Sequence, residues 1–316
     1  MVLLLRNIEM TFFDLSTDVE ALGQSFRVNA CNPCICEVPV PTENVSYVMN
    51  VRWINSGYDA AGVALAKPAR YISSNSRLPV DSGLMPSGAQ TLLETLEGEP
   101  WSMGHQDIRL VSHGGKLHYL AGKAVKGCIE QVYGNYLLEG KSFLDSERLL
   151  TPNFTNPWGV GEKNWVFFPQ DEQLMVIHSW RPLRICKIDG NALLEHQTIH
   201  TPKNFKNFRG SSSMFTLKNQ PAFLVHEVSK KRMGFMRRGK EWLEYQHRIV
   251  LFNHACKSLV AYSEPFKFSR SNIEFCTSAV NVGNDVVIAG SIMDRKCFLC
   301  KINAEKLRLS LRWAKV

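Results

Sequence analysis

The sequence predicts an all-β protein. Short apolar runs recur along its 316 residues, and turn-forming pairs such as Gly-Gly, Asp-Gly, Lys-Asn and Gly-Asn separate them. Long helical patterns are scarce. Many short strands at fairly even spacing are typical of a sandwich, a barrel or a propeller. Several pairs of runs lie about 45 to 60 residues apart, which is roughly the length of one propeller blade.

The clearest strand candidates combine apolar and β-favouring residues over about four to eight positions. They cover residues 46–53, 117–120, 165–168, 174–178, 222–226, 247–252 and 285–289. Gly114-Gly115, between two such runs, predicts a tight hairpin turn. Two segments are expected to differ: residues 11–27 to contain a short helix, and residues 227–245 to form a basic surface insertion within a hairpin.

One domain is the simplest organisation of the chain. Hydrophobic residues make up 45%, enough for one large core or two ordinary ones. Charged residues make up 21%, which argues against wholesale disorder. No stretch rich in Pro, Gly or Ser divides the sequence. We therefore expect residues 1–27 to be an N-terminal extension or a first strand region, and residues 28–316 to form the main domain.

The chain is basic, with a formal net charge of +8. This charge suits nucleic acid, an anionic membrane or an anionic small substrate. The dense Lys and Arg clusters at 230–232 and 237–240 are typical of an exposed loop, so no nucleic-acid partner is expected. No apolar run approaches the roughly 18 residues of a membrane helix, and the run at 1–6 is too short for a signal peptide. A cytoplasmic protein without a membrane span is expected, and its oligomeric state stays open.

The nine cysteines are an odd number, which favours free thiols over a disulfide framework. Cys31, Cys34 and Cys36 have a spacing that suits metal ligands, and so do Cys297 and Cys300. However, the second pair lies in a predicted strand. We therefore expect buried cysteines and assign no metal, although a metal at the first cluster stays open.

The segment at 104–109, Gly-His-Gln-Asp-Ile-Arg, leads directly into the predicted hairpin. Alternate side chains of a strand share a face, so Asp107 and Arg109 are expected on the same face. A carboxylate and a guanidinium at the entrance of a hairpin favour the rim of a binding site over a core position. The alternative is a structural Asp–Arg pair that fixes the hairpin.

A series of polar and aromatic motifs follows in one order along the chain. They are Tyr47-Val-Met-Asn-Val-Arg52, Gln106-Asp-Ile-Arg109, Glu162-Lys-Asn-Trp165 with Phe168-Pro169, His178-Ser-Trp-Arg181-Pro182, Phe208-Arg-Gly-Ser-Ser212, Phe223-Leu-Val-His226, Tyr245-Gln-His-Arg248, Ile273-Glu-Phe275 and Gly290-Ser-Ile-Met-Asp294. Each motif alone is weak, and it is their order that is informative.

This order resembles the family 130 glycoside hydrolases, which include the β-mannoside phosphorylases, and the related family 108 mannosyltransferases. The resemblance covers about residues 28 to 305. It implies a single-domain, five-bladed β-propeller with the active site in its central cavity. It also implies an enzyme that makes or breaks mannosidic bonds by an inverting single displacement.

The resemblance assigns roles to individual residues. The segment 106–109 looks like the family's Glu-Asp-Pro-Arg, whose Asp is the general acid, so Asp107 is the expected proton donor. Lys163 lies in a segment similar to the family's Asn-Lys-Asp and is expected to bind phosphate. Further residues expected to bind the leaving group or the sugar hydroxyls, or to shape the cavity, are Arg52, Arg109, His178, Arg181, His226 and Asp294.

An inverting displacement needs a carboxylic acid for the leaving oxygen and a nucleophile on the opposite face of the sugar. The expected substrate is an oligosaccharide or a sugar phosphate, with inorganic phosphate or a sugar phosphate as co-substrate and no resident cofactor. Sugar rings also stack on aromatic platforms. Candidates are Trp53, Trp101, Trp158, Trp165 and Tyr245, although packing between blades is the simpler explanation for each.

The chain departs from the family pattern where Gln106 and Ile108 replace Glu and Pro. The strands that follow also lack the family's phosphate-binding arginines, for which Lys123 or Lys126 would have to substitute. Three alternatives stay open. They are a hydrolase in which Glu162 activates water, a non-catalytic carbohydrate-binding propeller, and a propeller that serves as a scaffold for protein partners.

Overall fold

Strands dominate the structure, as the sequence predicts. A computed structural model of the chain describes residues 2–6, 8–13, 15–21, 23–59, 63–65, 68–93, 96, 98–99, 101–154, 164–232 and 241–316. Within these ranges there is one short α-helix, α1 (Ala304–Ser310), and one 3₁₀ turn at Lys203–Asn207. No helix in the described ranges is both long enough and apolar enough to cross a membrane.

The strands are numbered in chain order. They are β1 (Leu3–Leu4), β2 (Glu9–Phe13), β3 (Ser16–Ala21), β4 (Gln24–Glu37), β5 (Tyr47–Ile54), β6 (Tyr71–Val80), β7 (Thr91–Leu92), β8 (Gly98–Glu99), β9 (Ser102–Met103), β10 (Gln106–His113), β11 (Lys116–Val125), β12 (Cys128–Tyr136), β13 (Leu144–Leu149), β14 (Thr151–Pro152), β15 (Val166–Gln170), β16 (Gln173–Trp180), β17 (Leu183–Asp189), β18 (Ala192–Ile199), β19 (Arg209–Gly210), β20 (Phe215–Leu217), β21 (Gln220–Arg232), β22 (Glu241–Phe252), β23 (Leu259–Ser263), β24 (Phe266–Lys267), β25 (Glu274–Val282), β26 (Asp285–Ile292), β27 (Lys296–Asn303) and β28 (Trp313–Lys315).

These strands form five sheets. Sheet 1 contains β3 to β9, sheet 2 contains β10 to β13, and sheet 3 contains β14 to β18. Sheet 4 contains β19 to β24 with β1 and β28, and sheet 5 contains β25 to β27 with β2. Apart from the short strands, consecutive strands of each sheet pair antiparallel, so each sheet is a meander.

The sheets contact one another in a cyclic order. In sheet 1, β4 contacts β10 of sheet 2 and β25 of sheet 5. The strand β10 also contacts β15 of sheet 3, while β16 contacts β19 and β20 contacts β25. Each sheet therefore contacts the next one along the chain, and the last contacts the first.

Each neighbouring pair of sheets shares one hydrophobic core. Phe143 lies in the core between sheets 1 and 2, and Trp165 in the core between sheets 2 and 3. Phe223 lies between sheets 3 and 4, Phe298 between sheets 4 and 5, and Trp53 between sheets 5 and 1. Burial of these large side chains, each worth about 1.5–3 kcal/mol, holds the sheets together.

The main strand predictions are confirmed. All the runs named above lie within or overlap observed strands, including Cys297 and Cys300 on β27. The predicted hairpin joins β10 to β11, with His113 opposite Lys116. Gly114 and Gly115 have φ values of +56° and +72°, as a tight primed turn requires.

The short helix expected within residues 11–27 is wrong. The described residues there belong to β2, β3 and the start of β4. On β3 the buried residues Val19 and Ala21 are two positions apart, which is the spacing of a strand and not of a helix. Strand β2 pairs with β27, so the N-terminal segment completes sheet 5.

The expected insertion at 227–245 falls in a long hairpin. Strands β21 and β22 pair continuously from Ala222 opposite Leu251 to Arg232 opposite Glu241. Most of the segment therefore extends the ladder of sheet 4. Residues 233–240, which carry the second basic cluster, lie outside the described residues.

Candidate functional site

Asp107 occupies an irregular position at the start of β10. The register between β10 and β11 shifts between Gln106 and Arg109. The φ angle of Asp107 is +51°, in the left-handed region that few residues other than Gly, Asn and Asp adopt. Such a bulge re-aims a side chain. The Asp107 side chain extends toward sheet 1 and remains 25% exposed.

Two donors from sheet 1 hold the Asp107 carboxylate. Arg52 on β5 donates through Nη1 to Oδ1 (2.6 Å), and Asn32 on β4 donates through Nδ2 to the same oxygen (2.8 Å). Both donors are themselves held. Arg52 Nε donates to Ser73 Oγ (2.7 Å), and Ser291 Oγ donates to Asn32 Oδ1, which turns the amide nitrogen toward the carboxylate. The site thus presents a fixed, charge-assisted acceptor.

Arg109 is buried and contacts different neighbours. Its Nε donates to the carbonyl of Ser211 (3.0 Å), and its Nη2 donates to the carbonyl of Gly210 and to Asn164 Oδ1 (3.2 Å each). Its Nη1 donates to the backbone carbonyl of Asp107 (3.3 Å). The expectation that the two side chains share one face is therefore wrong: the bulge turns Asp107 to sheet 1, while Arg109 joins sheet 2 to sheets 3 and 4.

Asp294 brings a second carboxyl group to the same place. Met293 and Asp294 form the turn between β26 and β27, with φ values of +55° and +50°. No group in the described ranges forms a hydrogen bond with the Asp294 carboxyl. Burial raises the pKa of Asp294 to about 6, with Arg52 opposing the rise and Asp107 adding to it. The two carboxyl groups therefore act on each other electrostatically.

The charge of Asp294 also acts on two tyrosines and a thiol. Burial raises the pKa of Tyr58 to about 12, and the charge of Asp294 contributes. Burial likewise raises the pKa of Tyr245 and of Cys31, again with a contribution from Asp294. All three groups stay neutral, so the tyrosine hydroxyls can donate hydrogen bonds to a ligand.

His226 is buried on β21. Its Nδ1 lies 2.9 Å from Ser211 Oγ, and its ring stacks on Tyr245 at 5.7 Å between centroids. Phe275 packs edge-on at 4.8 Å. Burial holds the pKa of His226 well below its ordinary value, and the charges of nearby basic groups reinforce this. His226 is therefore a neutral, buried residue whose ring stacks on Tyr245 and helps to fix its position.

His178 lies in an aromatic environment. Its ring is 4.9 Å from the ring of Trp165 and 4.9 Å from that of Phe154, beside the core shared by sheets 2 and 3. Arg181 follows on the turn between β16 and β17, where its peptide bond to Pro182 is cis. Both residues are partly exposed. Their predicted contact with an anion remains a prediction.

Lys163 and Glu162 lie outside the described residues, and so does Trp158. The described chain resumes at Asn164, whose φ is +63° and whose Oδ1 accepts a hydrogen bond from Arg109 (3.2 Å). The segment that resembles the family's phosphate-binding stretch therefore ends next to an arginine of the site. The roles predicted for Lys163 and Glu162 stay predictions.

Lys123, one alternative phosphate-binding cation, already has a partner. Its Nζ lies 2.7 Å from Glu147 Oε1. Tyr119 donates to Oε2 of the same carboxylate (2.8 Å), and His105 forms a further short contact with it. Burial opposes ionisation of Glu147, but hydrogen bonds from His105, Lys123 and Tyr119 lower its pKa to about 2. For Lys126, the backbone N–H donates to Glu99 (2.9 Å).

The aromatic candidates divide by exposure. Trp53 and Trp165 are 3% and 0% exposed, so they pack between sheets. Trp101 is 40% exposed, and Tyr245 is partly exposed near Asp294. Tyr245 is therefore the aromatic ring that the structure brings to the carboxyl groups.

The space beside Asp107 is narrow. A cleft of about 10 Å³, roughly the room of one water molecule, is lined by Asp107, Arg109, Asn164 and Gln131, among others. A larger apolar cavity of 270 Å³ lies elsewhere, between β4 to β6 of sheet 1 and β2 and β27 of sheet 5. The larger cavity is lined mainly by apolar side chains, with Glu9 and Lys301 as its charged residues. We place the candidate site at the carboxyl groups because Asp107 is held there by Arg52 and Asn32.

Eight of the nine cysteines are buried, and Cys128 is half-buried. All nine are free, and in the described ranges no group of three His, Cys, Asp or Glu side chains is placed to hold a metal ion. Cys31 and Cys34 are fully buried, and burial raises the pKa of Cys34 to about 11. A thiol that resists ionisation is a poor metal ligand.

Sequence reasoning missed the residues that hold Asp107 and its partner Arg52 in place. Asn32 follows Cys31 on β4, has a φ of +44° and is 3% exposed. The sequence feature that could have identified Asn32 is its position directly before a Pro. Asn adopts the left-handed region more readily than most residues, so an irregular position in the strand could have been expected there. Ser73 and Ser291 carry no comparable signal because their partners come from distant strands.

No known family model matches the sequence, and no curated protein matches it. Solved structures do match. The β-1,2-mannobiose phosphorylase from Listeria innocua superposes with a TM-score of 0.60 at 12% identity, covering 96% of this chain and 99% of that chain. A glycosyl hydrolase from Bacteroides ovatus gives a TM-score of 0.59 at 12% identity, covering 93% and 88%.

A third match is described with the family 130 mannoside phosphorylases, a family that contains glycoside hydrolases targeting β-1,2-mannosidic linkages in Candida mannan. It gives a TM-score of 0.59 at 11% identity and covers 88% of this chain and 87% of that chain. Identities this low show a shared fold. The expected resemblance to the family 130 glycoside hydrolases is confirmed at that level.

Proposed function

We propose that this chain is a carbohydrate-active enzyme that makes or breaks mannosidic bonds by an inverting single displacement, as a phosphorylase or a glycosyltransferase. The observation that carries the proposal is the pair of carboxyl groups, Asp107 and Asp294, set on left-handed backbone where sheets 1, 2 and 5 meet. The β-1,2-mannobiose phosphorylase of the same fold supports the substrate class.

We infer that the five sheets are the blades of a five-bladed propeller. The five cores, each shared by consecutive sheets and closing from the last to the first, support this arrangement. Contacts of β4 and β25 with β10 bring strands of three sheets together, which supports a common axis for these sheets. The carboxyl groups then lie at the central cavity, where a propeller carries its ligand site.

In the proposed reaction, one carboxyl group protonates the departing oxygen while a nucleophile attacks the anomeric carbon from the opposite face. The family resemblance gives the donor role to Asp107. Arg52, His226 and Asp294 shape the sugar subsite in this proposal, with Arg109 supporting it from the interior. Lys163, His178 and Arg181 bind phosphate or an anionic leaving group.

Inorganic phosphate or a sugar phosphate is the proposed co-substrate, because a phosphorylase run in reverse uses a sugar phosphate as donor. Lys123 is poorly suited to bind phosphate, since it is paired with Glu147 at 2.7 Å. This leaves Lys163 as the principal cation of the proposal. If Lys163 does not bind phosphate, the alternative is a hydrolase in which Glu162 activates a water molecule as the nucleophile.

The second candidate function is a carbohydrate-binding propeller without catalysis. Two observations favour it: Gln106 and Ile108 depart from the family motif, and Asp107 is ion-paired with Arg52 at 2.6 Å. However, Asp107 is 25% exposed and pairs toward the site, not with the Arg109 guanidinium behind it. An accessible carboxylate beside a second carboxyl group favours the enzyme.

The test compares the wild type with Asp107→Asn on a panel of β-mannosides that includes β-1,2-mannobiose, with and without inorganic phosphate. Synthesis from sugar-phosphate and nucleotide-sugar donors is assayed in parallel. The matched control is Asp189→Asn, an exposed carboxylate at the end of β17. Phosphate-dependent turnover that falls about 100-fold or more in Asp107→Asn, and not in the control, supports the proposal.

Two results would favour one of the alternative functions. Turnover without phosphate identifies a hydrolase and directs attention to Glu162. Intact sugar binding with no turnover under any of these conditions identifies the carbohydrate-binding propeller.

A further inference from the structure

The apolar cavity of 270 Å³ lies on the opposite face of β5 from the candidate site. Three alternate residues of β5 line this cavity: Met49, Val51 and Trp53. Arg52, which lies between two of them, points away and donates to Asp107 (2.6 Å). Alternate side chains of a strand occupy opposite faces, so β5 serves both places. A ligand in the cavity therefore does not compete with a ligand at Asp107.

The cavity is long and narrow. Strands β2 and β27 line it with three alternate residues each, from Glu9 opposite Lys301 to Phe13 opposite Cys297. Four residues of strand extend about 13 Å, so a volume of 270 Å³ corresponds to a mean cross-section of about 20 Å². This section fits an extended alkyl chain and is too narrow for a sugar ring. At about 30 Å³ for each water-sized group, the volume holds about nine such groups.

Polar groups in the cavity wall are bonded within the protein. Trp53 Nε1 and Gln90 Nε2 both donate to Ser76 Oγ (2.8 Å each). Lys301 Nζ lies 3.6 Å from Asp285 Oδ2. Water is held in a cavity by polar partners that are otherwise unsatisfied, so walls of this kind favour an apolar ligand over water.

Apolar side chains also lie where the cavity wall reaches solvent. Leu15, between β2 and β3, and Met85, after β6, line the cavity and are 47% and 63% exposed. Exposed apolar side chains that border a groove are typical of a binding site, and Met adapts well to flexible apolar ligands. Glu9 and Lys301 bring opposite charges to one end of the cavity. Because these charges offset each other, that end favours an uncharged head group.

We propose that this cavity is a second ligand site, which binds a single alkyl chain that carries an uncharged polar head group. The chain lies between sheets 5 and 1, against Val51 and Leu299, and the head group reaches solvent beside Glu9 and Lys301. This inference goes beyond the proposed function and does not depend on it.

The test uses the full chain labelled with ¹³C at the methionine methyl groups, because Met49 and Met85 both line the cavity. The probes are 1-alkanols from butanol to decanol, and the variants Met49→Leu and Met85→Ser assign the two resonances. We expect both resonances to shift saturably. Affinity should rise about fourfold with each added methylene group until the chain fills the cavity.

The variants test whether the chain binds at this place. Val51→Phe fills part of the cavity and should abolish octanol binding. Met85→Ser, at an exposed position, should weaken octanol binding several-fold, and it keeps the test decisive if Val51→Phe does not fold. The matched control Leu309→Ser, which is 75% exposed on α1, should bind octanol as the wild type does. Asp107→Asn should also bind octanol unchanged, which separates this inference from the proposed function.

Several results would overturn the proposal. They are shifts that do not saturate, an affinity that does not rise with chain length, and octanol binding that persists unchanged in folded Val51→Phe or in Met85→Ser. Octanoate or octylammonium binding as tightly as octanol would contradict the uncharged head group. Shifts that depend on the protein concentration alone would show that a second copy of the chain covers the cavity, and would equally overturn the proposal.

Discussion

Two carboxyl groups near the start of β10 differ in the donors around them. Glu147, on β13, is contacted by Lys123, Tyr119 and His105, and these contacts lower its pKa to about 2. Asp294, on the turn after β26, has no hydrogen bond from the described residues, and its pKa rises to about 6. Both are partly buried.

The difference teaches that the supply of hydrogen-bond donors, and not burial alone, decides whether a carboxyl group's pKa falls or rises. Glu147 is contacted by three side chains and serves to hold His105 at the start of β10. Asp294 is left with unmet bonding capacity at a place that solvent reaches. Asp107 lies between these extremes, because its two donors leave it charged but accessible.

The largest effect is expected at Arg52, which is ion-paired with Asp107 and whose charge also acts on Asp294. Arg52→Met should lower kcat/KM about 100-fold, equivalent to about 2.7 kcal/mol, because Asp107 loses the cation that fixes it. Stability should also fall, by up to about 3–5 kcal/mol, because a partly buried carboxylate is left unpaired. Steady-state kinetics and urea unfolding measure the two effects.

The matched control for this prediction is a double-mutant cycle with Asp107→Asn. Removing both charges should restore part of the stability that Arg52→Met loses, since no unpaired carboxylate remains. A strictly additive loss of stability would show that the two side chains do not interact as described.

A smaller effect is expected at Glu147, the structural carboxylate of the comparison. The folded pKa lies below the ordinary value, so the ionised form stabilises the fold above about pH 4.5, and this contribution disappears as the pH falls toward 2. Glu147→Gln should therefore lower the free energy of unfolding at pH 7 by about 1 kcal/mol, a value discounted because the side chain is 27% exposed. Near pH 2 the difference should vanish.

Asp145→Asn, an exposed position on the same strand, is the control for Glu147 and should change stability little at either pH. Activity of Glu147→Gln should stay within about threefold of the wild type. A loss of activity as large as that of Asp107→Asn would show that Glu147 is not a purely structural carboxylate.

The smallest effect is expected at His178, whose ring packs against the rings of Trp165 and Phe154. His178→Phe keeps the contacts with Trp165 and Phe154, so stability should change by no more than about 1 kcal/mol. If the imidazole binds phosphate as proposed, KM for phosphate should rise about fivefold with kcat nearly unchanged. An unchanged KM would make His178 a packing residue only.

The sequence predicted those parts of the fold that depend on local patterns. The apolar runs became strands, and Gly114-Gly115 became the turn between β10 and β11 because both positions need positive φ. The helix expected within 11–27 failed, because the strand spacing of Val19 and Ala21 was overlooked.

The site was predicted only in part. The motif order identified Asp107, Arg52 and Asp294, and the structure brings these three together. The alternation rule failed at Arg109, because a bulge at Asp107 cannot be located from residue types alone. Asn32 and Ser291 were missed, since their contact joins strands 259 residues apart along the chain.

The most direct test of the central claim is the anomeric configuration of the first product. A ¹H NMR time course of β-1,2-mannobiose cleavage with inorganic phosphate should show α-mannose 1-phosphate forming first in the wild type, because inversion at a β-mannoside gives the α product. The Asp107 and Asp294 variants should form it about 100-fold more slowly or worse. A β-configured product, or cleavage that survives the loss of both carboxyl groups, would contradict an inverting displacement at this site.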